Sequence, residues 1–97
     1  MAGTITESRG RPVRFPRLPV APLVAAIRRT VVERDATLGG VLEAANVHPK
    51  QFDLWAAGGR SLCMFAVADR VCCRLDLDWR TVWPDDERAR RAFEGDE

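Results

Sequence analysis

The sequence is poor in the residues that carry covalent chemistry or hold metals. It has one histidine, His48, and three cysteines, Cys63, Cys72 and Cys73. An odd cysteine count without zinc-type paired spacing argues against a disulfide framework and a structural zinc site. On a helix Cys72 and Cys73 point about 100° apart, which keeps them from sharing one ion. All three read as small buried residues. No glycine-rich loop precedes a helix, and no Ser, Cys or carboxylate has a nearby base to activate it. No enzymatic activity, metal or cofactor is therefore expected. No apolar run approaches the length of a membrane span, and no secretory apolar segment opens the chain, so a cytoplasmic location is expected. Lys50 is the only lysine; the other basic side chains are arginines. No internal repeat is visible, and no segment alternates in the manner of a strand.

What the sequence does have is enough apolar material for one small folded domain. Of its 97 residues 46% are hydrophobic, which places it among globular chains with a modest core. The net charge is only +1, but it is unevenly spread. Residues 1–17 hold Arg9, Arg11, Arg14 and Arg17 against Glu7, for +3. Residues 18–84 hold eight basic and seven acidic side chains, for +1. Residues 85–97 hold three Arg against six acids, for −3. The expected organisation is a flexible basic arm (1–17), a folded body (18–84), and a short charged helix with an acidic tail (85–97).

Apolar spacing predicts an all-α fold, a small bundle of four to five helices. The first helix spans residues 22–34 with Leu23, Ala26, Ile27 and Val31 on its inner face. Thr37 suits the N-cap of a second helix, whose apolar side is Leu38, Val41, Leu42 and Ala45. Gly39 and Gly40 weaken it by about 1 kcal/mol each relative to Ala. Asn46 fits a turn position with positive φ, Val47 anchors that turn, and Pro49 suits the first position of a third helix. This helix covers residues 49–57, buries Phe52 and Trp55, and ends at Gly58-Gly59. Ser61 caps a fourth helix that runs to Leu75. After a loop at residues 76–78 comes a short turn with Trp79, Val82 and Trp83, stopped by Pro84. A charged helix follows at residues 88–93.

Two segments resemble the small helix-turn-helix regulators of the Xre, or repressor/Cro, family. One is Val41-Leu42-Glu43-Ala44-Ala45-Asn46-Val47-His48-Pro49-Lys50-Gln51-Phe52-Asp53-Leu54-Trp55. The other is Ala68-Asp69-Arg70-Val71-Cys72-Cys73-Arg74-Leu75-Asp76-Leu77-Asp78-Trp79-Arg80-Thr81-Val82-Trp83-Pro84. It is similar to an "A-D-R-L-A…L-G-L-x-P-x-x-V-W-P" ending found in actinobacterial and actinophage members. The resemblance implies that residues 49–57 form a recognition helix and that the partner is double-stranded DNA. The sequence departs from the family pattern at Leu42 and Ala45, a compensating volume swap. It departs again at Asn46 in place of the turn glycine, and at Asp53 and Leu54 where polar or basic groups are usual.

Within that reading His48, Pro49, Lys50 and Gln51 begin the helix that meets the major groove. Lys50 can donate to guanine O6 and N7, and Gln51 can pair with adenine. His48 can donate to a phosphate or base, and Arg60 can hold a phosphate. A second candidate is Arg9-Gly10-Arg11-Pro12, which resembles an AT-hook core. Gly10 would let the backbone enter a narrow A/T-rich minor groove flanked by two Arg side chains, with Arg14 and Arg17 following the phosphates. The expected function is a sequence-specific transcriptional regulator, a phage repressor or Cro-like protein. An arm permits binding as a monomer, and an exposed Trp79/Phe93 surface permits a homodimer or a protein partner. Two alternatives stay open: an excisionase-like DNA-bending factor, and a protein-interaction module whose motivation is Asp53, Leu54 and the acidic tail.

Overall fold

The structure, a computed structural model, describes residues 16–95. In chain order these form strand β1 (Arg17–Pro19), helix α1 (Val20–Glu33), α2 (Leu38–Ala45) and α3 (Pro49–Ala56). Strand β2 (Leu62–Met64) and helices α4 (Phe65–Leu75), α5 (Trp79–Val82) and α6 (Glu87–Glu94) follow. The fold is mostly helical, as the apolar spacing predicts, but it is not all-helical. β1 and β2 pair antiparallel, with Arg17 opposite Met64, Leu18 opposite Cys63 and Pro19 opposite Leu62. Strands of three residues are too short to show a period of two, so nothing in the sequence marks them.

The sheet also corrects three placements. Arg17, assigned to the basic arm, lies in β1 against Met64. The pairing continues past both strand ends, through Phe65 N–H to the Pro16 carbonyl at 3.0 Å and Val20 N–H to the Ser61 carbonyl at 2.9 Å. Ser61 thus accepts from α1 rather than capping α4, which starts at Phe65. Helix α1 begins at Val20, two residues before the expected start, and holds Pro22 in its first turn. There the N–H that proline lacks has no intrahelical partner to lose.

The core forms where α1, α2 and α4 close over the sheet, with Leu18, Leu23, Ile27, Val71, Leu75 and Trp83 as its largest fully buried side chains. Each is large and apolar, and burying one contributes about 1.5–3 kcal/mol. Trp83 ties the two ends of the domain together by donating its indole N–H to the Pro19 carbonyl at 2.9 Å. Phe93 of α6 fits against this end, its ring centre 4.9 Å from Phe65, 5.1 Å from Trp79 and 5.8 Å from Trp83. Trp79 and Phe93 stack nearly parallel, at 3°, and both are half-buried. Much of the aromatic surface expected to face a partner is therefore spent on internal contact.

One backbone device occurs three times among the described residues. It appears first at Asp35-Ala36-Thr37, where Asp35 has φ of 52°, Ala36 N–H donates to the Val31 carbonyl at 3.0 Å and Thr37 caps α2. It appears again after α2 and after α4. Asn46 ends α2 and Asp76 ends α4, both left-handed, with φ of 61° and 57°. The next residue donates back into the helix: Val47 to the Leu42 carbonyl at 2.9 Å, Leu77 to the Cys72 carbonyl at 2.8 Å. The third residue caps the following helix, His48 accepting from Lys50 N–H and Asp78 from Arg80 N–H. No repeat is visible in the residues because only the conformational types match. Asn and Asp both tolerate positive φ, Val and Leu both plug the turn, and His and Asp both accept.

Candidate functional site

Helix α3 stands out because one side holds it and the other is open. Phe52 and Trp55 are buried and fix it to the body, with the Arg28 guanidinium of α1 5.7 Å from the Phe52 ring centre. That distance suits a cation–π contact. The start of the helix is set by the turn before it. Pro49 occupies the first position, Lys50 N–H donates to His48 Nδ1 at 3.1 Å, and Gln51 and Phe52 N–H reach the His48 carbonyl at 2.9 and 3.1 Å. The end is set by Gly58, with φ of 83°. Gly59 N–H donates to the Leu54 carbonyl at 2.9 Å and Gly58 N–H to the Trp55 carbonyl at 3.2 Å. This is a Schellman closure, which needs glycine at the left-handed position.

On the open side His48, Pro49, Lys50, Asp53 and Leu54 are exposed, while Gln51 is half-buried. Arg60 is exposed beyond the glycine pair. The structure thus brings His48, Pro49, Lys50 and Gln51 together on the first turn of one helix. Arg17 lies elsewhere, on the exposed side of β1, and its partner Met64 is four residues past Arg60, about 13 Å along an extended chain. Arg9, Gly10, Arg11 and Arg14 fall outside the described residues.

Two contributors have no signal in the sequence. Arg70 of α4 is half-buried and donates from Nη2 to the Asn46 carbonyl at 3.3 Å, bracing the turn that aims α3. Arg28 supports α3 from behind. Both roles depend on which helices meet. Beneath the second helix the glycines separate. A Cβ on Gly40 would come within 3.1 Å of Thr37 Oγ1, the atom that caps α2 through Gly40 N–H, whereas Gly39 faces open space.

Charge is distributed unequally around the molecule. Every ion pair between described side chains that has been identified lies in α5, α6 or the residue capping α5, linking Arg80, Arg90 and Arg91 with Asp78, Glu87 and Glu94. Hydrogen bonding from Arg90, with help from Arg91, holds the Glu87 carboxyl below its usual range. Around α3 the exposed Arg28, Lys50 and Arg60 take part in none of those pairs, and neither do Glu43 and Asp53.

The cysteines divide. Cys63 and Cys72 are buried, but Cys73, expected inside, is exposed and its Sγ lies 3.7 Å from Asp69 Oδ1. Burial pushes the Cys63 thiol up to about 11. Burial, then the neighbouring Cys73 and Asp69, pushes Cys72 up to about 12. The stability that these raised values contribute is present in full below pH 9.0 and is lost as pH rises toward 12.

Among the described residues no helix is long and apolar enough to cross a membrane. No group of three or more His, Cys, Asp or Glu there could hold a metal ion. Compared with protein-family models, curated proteins and solved structures, the chain matches none of them.

Proposed function

We propose that the chain is a sequence-specific DNA-binding regulator of the helix-turn-helix type, of the kind the Xre/Cro resemblance implies. In this reading α2, the turn and α3 form the motif, α3 enters the major groove, and repression follows from occupying an operator. The observation that carries the reading is the first turn of α3. It is capped, braced from behind, and presents Lys50 outward beside His48 and Gln51. Such a turn can approach base edges end-on, and a lysine there can donate to guanine. Arg60, exposed past the end of the helix, adds positive charge for phosphates, which supply most of the affinity of such proteins.

The Arg9-Gly10-Arg11-Pro12 segment joins the reading as a minor-groove arm. From Arg9 to Pro16, where the chain meets the N-terminus of α4, seven residues span at most about 25 Å.

A second reading, a protein-interaction module on the same scaffold, is favoured by Leu54, 46% exposed on α3, and by Asp53 beside it. The two separate in a selection from random duplex DNA with the full chain at near-physiological salt. A regulator enriches one motif, with an A/T-rich flank if the arm takes part. Removing residues 1–15 should then weaken binding and flatten its salt dependence. No enrichment at all would discard the DNA reading in favour of the module.

A further inference from the structure

His48 is the one histidine of the chain, and the backbone N–H groups of the first turn of α3 converge on it. Pro49 has no N–H. Lys50 N–H goes to the ring Nδ1, and Gln51 and Phe52 N–H go to the His48 carbonyl. A ring nitrogen that accepts carries no hydrogen, so neutral His48 keeps its proton on Nε2. The side chain is exposed, which leaves that Nε2–H as a donor to an outside acceptor. An imidazolium has hydrogens on both nitrogens. Its Nδ1–H would face Lys50 N–H, donor against donor, and its charge would sit at the positive end of the helix. Both effects remove the cap.

The charged groups nearby bear on this from three helices. Lys50 and Asp53 belong to α3 itself. Glu43 of α2 lines the groove that His48 shares with Asn46 and Pro49. Arg70 of α4 holds the Asn46 carbonyl on the other side of the turn. The matching turn at Asp76-Leu77-Asp78 lacks this sensitivity. Its cap is Asp78, and a carboxyl group keeps an accepting oxygen in either protonation state.

We infer that His48 is a proton-operated latch on α3. Neutral, it closes the first turn and offers Nε2–H to a phosphate or guanine acceptor; protonated, it releases the turn that carries Lys50 and Gln51. The link to nucleic acid rests on the proposed function, whereas the latch rests on the cap geometry alone.

NMR of the full chain without DNA tests the latch between about pH 8 and pH 5, where an imidazole changes charge. The ring nitrogens should report the Nε2–H form at high pH. The Lys50 amide should move with the ring's titration, its protection against hydrogen exchange relative to the intrinsic rate at each pH falling about fivefold as one helix cap is lost. The Arg80 amide, capped by Asp78, should stay still. In H48N, whose side-chain oxygen caps without titrating, the Lys50 amide should be flat. An Nδ1–H ring, or a Lys50 amide indifferent to the ring, would overturn the latch. On a selected duplex at fixed salt, wild-type affinity should fall about fivefold over the same range, and H48N should abolish the fall. A titrating Lys50 amide with unchanged affinity would overturn the coupling to DNA. Failure to bind any duplex at either pH would sink the DNA reading, leaving the amide result to decide the latch.

Discussion

After Asn46-Val47-His48 the chain enters a helix of eight residues, and after Asp76-Leu77-Asp78 one of only four. The two turns share their left-handed residue, their apolar plug and their side-chain cap, so the difference begins downstream. Following the first turn, the polypeptide buries only Phe52 and Trp55, half-buries Gln51 and leaves the other residues of α3 outward. Following the second, it runs into Val82 and Trp83, both buried, and stops at Pro84. Lys50 and Arg80 occupy the same step after their caps. No ion pair has been identified for Lys50, whereas Arg80 lies 3.5 Å from Asp78 and 3.7 Å from Glu94, with its guanidinium 4.9 Å from the Trp79 ring centre. A turn geometry therefore says little about function by itself. What decides is whether the following helix is left open or used to close the domain.

The largest effect should come from the closing side. Trp83→Ala removes a fully buried indole and its bond to Pro19, and should lower stability by about 3–5 kcal/mol in denaturant titration. Leu54→Ala on the open helix should stay within about 0.5 kcal/mol. Equal losses would mean that α3 closes the domain as α5 does. Next come the matched cations. Lys50→Glu should reduce affinity for a selected duplex by at least about tenfold, since it replaces a donor to base or phosphate with a repelled carboxylate. Arg80→Glu should leave affinity within about twofold at fixed salt, because Arg80 already has carboxylate partners, and only long-range charge is lost. A loss from Arg80→Glu as large as that from Lys50→Glu would place both turns on the DNA.

Smaller effects test the likeness between the turns. Asn46→Ala and Asp76→Ala each put a Cβ-bearing residue without a local hydrogen-bonding side chain at positive φ, for a loss of about 1–2 kcal/mol. Changing either to Gly should recover most of it. A much larger loss at Asn46 would show that bracing by Arg70 depends on that residue and not on the backbone alone. Smallest are the caps. His48→Ala and Asp78→Ala should each lower thermal stability by about 1 kcal/mol near neutral pH.

The first turn was largely legible in the residues. Thr37, Asn46, Pro49 and Gly58-Gly59 each carry a local preference strong enough to mark a cap, a left-handed position, a helix start or a helix end. Phe52 and Trp55 announce the buried side by their spacing. The second turn reads in the sequence only as a loop, because Asp76-Leu77-Asp78 has neither proline nor glycine to mark it. The strands were invisible for another reason. Their pairing is decided by contacts between distant segments, and Leu18 and Cys63 carry no trace of each other. The same applies to Trp79 and Phe93, whose faces would be exposed on isolated helices and are covered only once α6 folds back. At the candidate site the outward side chains were legible from helical spacing, whereas the support from Arg28 and Arg70 required the packing itself.

The bond from Trp83 to Pro19 joins residues 64 positions apart, and β1 has no partner strand until β2 exists. During synthesis from the N-terminus, α1, α2 and α3 can therefore emerge and meet while Leu18 still lacks its cover. Only when β2 and then Trp83 leave the ribosome can the first strand be sealed. A ribosome stalled before that point would hold a chain with α3 already synthesised but β1 still unpaired. The order of manufacture thus places the outward-facing helix before the fastening of β1.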